Sequence, residues 1–154
     1  MSEHVATIRW QRGDADFLAG KFSRVHTWSF DGGASLEASA APSVVPAQFT
    51  SAAAVDPEEA LVASAASCHM LTFLYFAYKQ GFEIDRYEDQ AVGLMTKGAN
   101  GVPWVSTITL RPKIVYGGDK KPTAEQEKRL HHDAHEKCFI ANSVKSEIKV
   151  QPAS

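Results

Sequence analysis

The stretch from Ala60 to Tyr78 contains no Asp, Glu, Lys or Arg, and no other feature constrains the fold as strongly. Asp56 is a good N-cap, Pro57 suits the first helical position, and Glu59 completes a capping box. The spacing predicts a helix from Asp56 to about Gln80, stopped by Gly81. Its apolar residues Leu61, Val62, Leu71, Phe73, Leu74, Tyr75 and Phe76 lie nearly all round the axis. Such a helix must be covered on every side. By length it also reaches the span of a bilayer. Ser64, Ser67, Cys68, His69 and Thr72 in its middle argue instead for a buried core helix, with no membrane partner. One small sheet covers one face of it. The rest calls for a second helix or a second subunit, so a homodimer with this helix central is expected.

Around this helix the chain reads as short strands. Val5 to Arg12 alternates, with Ala6, Ile8 and Trp10 on one face. Lys21 to Phe30 is a second strand, closed by the turn Asp31-Gly32-Gly33, and Ser35 to Ala40 pairs back as a third. Pro42 to Val55 has two prolines and no clear period, and reads as a loop. After the helix come two long strands, about Glu83 to Lys97 and about Trp104 to Tyr116. In the second, Trp104, Ile108, Leu110, Ile114 and Tyr116 share one face. Thr123 caps a second helix, with Gln126 completing its box, that reaches about Cys138. Val144, Ser146, Ile148 and Val150 alternate in a last strand. Mostly hairpin-connected strands imply an α+β fold with an antiparallel sheet. No linker, repeat or low-complexity tract divides residues 1–154, so a single domain is expected.

Sixteen Lys+Arg against eighteen Asp+Glu give a net charge of −2, which argues against nucleic-acid binding through a broad basic face. Two cysteines, Cys68 and Cys138, are too few for a disulfide scaffold. Met1-Ser2-Glu3-His4 has neither the cationic start nor the apolar core of a secretory leader, so a cytoplasmic location is expected. In a reducing compartment a cysteine pair is more often redox-active or metal-binding than structural.

Cys68 lies mid-helix, where the helix dipole gives little help. A reactive thiolate there needs a cation from elsewhere. Arg24 is a candidate, on a strand face shared with Phe22, His26, Trp28 and Phe30; a guanidinium among aromatics needs an anion or a stacking edge. Glu58 and Glu59 in the first turn complement the dipole. Glu58 is also about 15 Å up the axis from Cys68 and can reach the sulfur only through an intervening arginine. On the second helix His131, His135 and Cys138 form a stripe open to two readings, a solvated polar face or a soft-metal site. Cys138, at the helix C-terminus, sits where the dipole disfavours a thiolate. If the two cysteines act together, Cys68 attacks and Cys138 resolves.

Asp56-Pro57-Glu58-Glu59, with Cys68 behind it on an apolar helix, resembles the Pro-Glu-Glu…Cys segment of the OsmC/Ohr family of thiol-dependent peroxidases. Ala134-His135-Glu136-Lys137-Cys138 with Ile140-Ala141-Asn142-Ser143 looks like the second-cysteine region of the OsmC-like branch. Cys68 is followed by His69 and Met70, unlike the hydroperoxide-resistance branch. The resemblance implies an OsmC-like fold, an intertwined homodimer with sites at the subunit interface, and a stress-response role. It implies reduction of organic hydroperoxides with electrons from an external thiol or dithiol, without cofactor or metal. Cys68 is then peroxidatic and Cys138 resolving. Glu58 is the glutamate that orients the activating arginine, which falls on Arg24, with Arg9 as runner-up. Phe49, Phe73 and Tyr75 are expected to line an apolar substrate pocket. The rival expectation is a non-catalytic dimer that binds a metal or ligand through His131, His135 and Cys138.

Overall fold

The computed structural model describes residues 1–153, which divide after Ala60 into two compact units. In the first, β1 (Ala6–Arg9), β2 (His26–Phe30) and β3 (Ser35–Ala38) make an antiparallel meander in the order β1-β2-β3. The β2–β3 register pairs His26 with Ala38 and Ser29 with Ser35 across the predicted glycine turn, where Gly33 adopts φ +89°. Each strand is shorter than its alternation suggests. Residues 21–25 stay outside β2, because the Arg24 N–H bonds Phe49 O at 2.7 Å in place of a strand partner. The 42–55 segment holds one short 3-10 turn, Ala47–Phe49, and its end is stitched to β3 by Ser39 N–H donating to Val55 O.

The long helix α1 (Pro57–Lys79) starts and stops where its signals place it. Glu59 N–H donates to Asp56 Oδ1 at 2.7 Å, and Asp56 N–H donates back to Glu59 Oε2 at 3.3 Å. At the other end Gly81 turns left-handed with φ +75°. Its N–H bonds Tyr78 O, and Phe82 N–H reaches Ala77 O, the paired bonds of a Schellman stop.

In the second unit, each predicted long strand is broken in two. β4 (Glu83–Asp89) and β5 (Val92–Lys97) replace the first; β6 (Pro103–Leu110) and β7 (Pro112–Gly117) replace the second. Pro112 has no N–H for a ladder, so the strand changes partner there. β6 pairs with β5, and β7 with β4. Asp89 Oδ1 accepts the Arg111 N–H at 2.6 Å and fixes the break. A register shift between Leu94 and Met95 moves β6 out of simple alternation. Val105 is therefore buried and Trp104 exposed, against the face predicted for Trp104. The capping box of α2 (Ala124–Lys137) forms between Thr123 and Gln126. After this crossover helix, β8 (Glu147–Val150) joins β6 in parallel, with Ile108 opposite Ile148. The sheets are thus not wholly antiparallel, as the hairpin pattern predicted. The architecture is α+β.

Helix α1 buries Ala65, His69, Phe73 and Ala77, spaced by four, along one stripe. Phe73 and Ala77 join Phe82, Leu130 and Ala134 in one core cluster, while Ala65 joins Val105, Ile108 and Leu110 in another. The approach to β5 is close: a Cβ on Gly93 would stand 2.5 Å from Val62 Cγ2. By length and composition α1 passes for a membrane span, but this stripe makes it a core helix. Its opposite side is exposed among the described residues, with Leu71, Tyr75 and Tyr78 at 61%, 49% and 60%.

Candidate active site

Cys68 sits half-buried in the middle of α1, and Cys138 is the buried C-cap of α2. The core brings the two free thiols side by side. Burial pushes the Cys138 thiol up to about 11, and the neighbouring Cys68 thiol adds to the rise. The direction agrees with the expectation for a helix C-terminus, but desolvation is its main cause. Cys138 therefore holds its proton near neutral pH. The turn after α2 folds back over both sulfurs. Ile140 N–H donates to Cys68 Sγ at 3.5 Å, and Ala141 N–H donates to Cys138 Sγ at 3.4 Å. The small polar residues beside Cys68 bond their own helix: Ser64 Oγ donates to Leu61 O and Thr72 Oγ1 to Cys68 O.

Arg24 and Glu58 belong to the first unit. Arg24 is not on the strand itself. Its guanidinium donates to the carbonyls of Gly20 and Phe22 and stacks over the Phe22 ring, 3.7 Å from the centroid. Among the described residues the expected Arg24–Glu58 ion pair is not formed; Arg24 Nη1 donates to these carbonyls instead. Next to it, Trp28 Nε1–H donates to His26 Nε2 at 2.8 Å, which leaves His26 Nδ1–H to donate to Arg24 O at 2.7 Å. Arg9 is exposed on β1 and reaches Ser29 Oγ at 3.4 Å. Glu58 is half-buried in the first turn of α1.

The His131/His135/Cys138 stripe is divided by the fold. Cys138 turns to Cys68, while His131 turns to His69, which the sequence marks only as a polar residue of the long helix. The two imidazoles are 1% and 5% exposed, stack at 7° between planes, and share one hydrogen bond, His69 Nε2 to His131 Nδ1, at 3.1 Å. Phe73 lies against His131 at 4.4 Å. Burial holds both histidines down from 6.5 to about 4, with His131 and His135 adding to the shift at His69. The signal was present in α1: His69 occupies the same four-residue stripe as Ala65, Phe73 and Ala77. Among the described residues, no three His, Cys, Asp or Glu side chains converge as a metal-ligand set.

A groove of about 600 Å³ runs along α2, lined by Lys128, His131, His135, Ile148 and Val150 among others, and neither cysteine opens into it. Two of the residues expected to line a substrate pocket, Phe73 and Tyr75, lie on different sides of α1. Phe73 is fully buried in the core, and Tyr75, two positions on, faces the opposite side of the helix and is exposed.

The model of the OsmC-like protein family matches residues 50–153. An OsmC-like protein of unknown function from Vibrio cholerae is 48% identical over 99% of this chain and 100% of its own, with a TM-score of 0.96. The organic hydroperoxide resistance protein OhrB of Bacillus subtilis shares the fold at 19% identity, over 99% of this chain and 98% of its own, with a TM-score of 0.71. An organic hydroperoxide resistance protein OsmC of Legionella pneumophila does so at 15% identity, over 100% and 98%, with a TM-score of 0.72. No curated protein matches the sequence. With a matching family model over most of its length and a solved relative nearly half identical, the chain belongs to the OsmC-like family.

Proposed function

We propose that the protein is a thiol-dependent peroxidase that reduces organic hydroperoxides to alcohols. One observation carries the reading: two free cysteines distant in sequence hold their thiols side by side, one half-buried and one protonated. The Cys68 thiolate attacks the distal peroxide oxygen, the O–O bond breaks, and the departing alkoxide takes a proton to become the alcohol. Cys68 is left as a sulfenic acid. Cys138 then attacks the Cys68 sulfur; its own proton leaves with the hydroxyl group as water, and a disulfide forms. An external dithiol restores both thiols and is itself oxidised to a disulfide. The hydroperoxide-resistance names borne by proteins of the same fold point the same way. A peroxidase assay on wild type and Cys68→Ser, with several peroxides and several thiols, tests it.

Arg24 and Glu58 complete the proposal as the residues that activate Cys68, Glu58 by orienting Arg24 when peroxide binds, in a cytoplasmic stress-response role. What supports Arg24 is a half-buried guanidinium with no carboxylate partner among the described residues. Arg24→Met keeps much of the apolar stem and removes the charge. It is expected to slow the peroxide step about tenfold or more in single-turnover kinetics, with the fold intact. Glu58→Gln does less, because it acts only through the arginine. An unchanged rate in Arg24→Met transfers the role to Arg9.

The active form is proposed to be a homodimer. Leu71, Tyr75 and Tyr78 leave an apolar side of α1 in solvent, and a second copy is the natural cover. Sedimentation at micromolar concentration is expected to give a dimer. A folded, stable monomer there contradicts it.

A further inference from the structure

We propose that the turn after α2, residues 138–143, is the main-chain anion cradle for the cysteine pair, and that Asn142 is the positioning residue that holds it. This deepens the peroxidase reading and rests on it for its role in turnover. Mid-helix Cys68 has no free N–H of its own helix to lean on, because those groups are bonded along α1. The donor at its sulfur comes from elsewhere: Ile140 N–H at 3.5 Å. The next N–H in the chain, that of Ala141, points at Cys138 Sγ at 3.4 Å. Ile140 N–H also faces Cys138. Two successive amides presented to two sulfurs are the arrangement by which backbone binds anions.

Three contacts hold these amides in place. The Ile140 side chain packs against the core cluster of Ala65, Val105, Ile108 and Leu110. The main chain closes on itself, with Asn142 N–H to Cys138 O at 3.1 Å and Ser143 N–H to Ile140 O at 3.0 Å. The Asn142 side chain then ties the turn to the helix end. Its Nδ2 donates to Glu136 O in the last turn of α2 at 3.1 Å and to Cys138 O at 2.9 Å, which also accepts the Asn142 N–H. One side-chain amide thus fixes both the last turn of α2 and the loop that carries the Ile140 and Ala141 donors. Asn142 itself is exposed and touches neither sulfur's chemistry directly. Removing it leaves the core intact and loosens the cradle.

The arrangement also suits the second half of the cycle. Cys138 is the cap residue, with extended rather than helical backbone at φ −69° and ψ 117°. Cys68 is fixed in α1, so the movement that closes an S–S bond falls on the turn, with Asn142 as its latch.

The test uses alkylation, which needs no peroxide and so stands whether or not the protein proves to be a peroxidase. In the Cys138→Ser chain, iodoacetamide labelling of Cys68 is followed by intact mass at pH 7 and at pH 10, with and without Asn142→Ala. Asn142→Ala is expected to slow labelling roughly five- to tenfold at pH 7, the scale of a weakened bond to an ionised acceptor. At pH 10 the rates converge, since a free cysteine is ionised there in any case. Asn142→Asp, which sets a carboxylate against the same two carbonyls, slows labelling at least as much, and Asn142→Gln recovers part of the rate. Equal rates at pH 7, or the same slowing at both pH values, overturn the proposal. If the pH contrast appears while wild type reduces no hydroperoxide, the cradle stands and the peroxidase reading falls.

Discussion

Cys68→Ser is expected to abolish hydroperoxide reduction, by roughly a thousandfold or more, as loss of a covalent nucleophile does. Cys138→Ser behaves differently. Its Cys68 thiol is intact and takes about one equivalent of peroxide, and the reaction then stalls at the sulfenic acid or continues slowly with whatever thiol is supplied. The asymmetry follows from the structure. Cys138 is buried and keeps its proton, with its thiol pushed up to about 11, so it is a poor first nucleophile. Cys68 is half-buried and takes a backbone N–H donor at its sulfur. The measurement is peroxide consumed per chain, without reductant and then with excess dithiol, together with dimedone trapping of the sulfenic acid. Wild-type turnover in Cys68→Ser removes the peroxidatic role. Full multiple turnover in Cys138→Ser, at the wild-type rate with a dithiol, removes the resolving role.

Local signals accounted for the helices. Both capping boxes and the glycine stop at Gly81 form from residues within a few positions of one another, so one sequence window contains everything needed. The strands were less legible. Pro112 and the shift at Leu94/Met95 change partner and face midway, and alternation alone cannot register an extra residue. The parallel pairing of β8 with β6 depends on where a crossover lands, which no window of sequence contains.

The same divide runs through the candidate site. The two cysteines were legible as candidates through the residues that flank them. What surrounds them was not. The donors at the sulfurs are main-chain N–H groups of Ile140 and Ala141, and a backbone amide has no letter in the sequence. The partner of His69 was not legible for the opposite reason. His69 stands beside Cys68 in sequence, but neighbours on a helix point about 100° apart, so it belongs to a different face and a different partner.

That partner makes the second large effect an acid one. His69 and His131 have folded values of about 4 against 6.5 unfolded, because burial disfavours their charged forms. Between pH 6.5 and 4 the unfolded chain therefore binds protons that the folded chain refuses, and stability falls as pH drops through that window. Above 6.5 the contribution is fully present. A displacement from 6.5 to about 4 corresponds to about 3 kcal/mol for one histidine at 1.36 kcal/mol per unit, and repulsion between the two once charged opposes protonation of the folded pair further. Against a total of about 5–15 kcal/mol for a domain, this is a large share. The other titratable group that acts on the pair is His135 on α2. Urea unfolding at pH 7, 6, 5 and 4 reads the loss. The control is His69→Leu/His131→Leu, which removes both polar partners together and leaves no orphan in the core. Its stability is expected to change much less across the window, with only the carboxylates contributing near pH 4. If wild type and the double variant lose the same stability between pH 6.5 and 5, before most carboxylates titrate, the buried pair is not the source of the acid sensitivity.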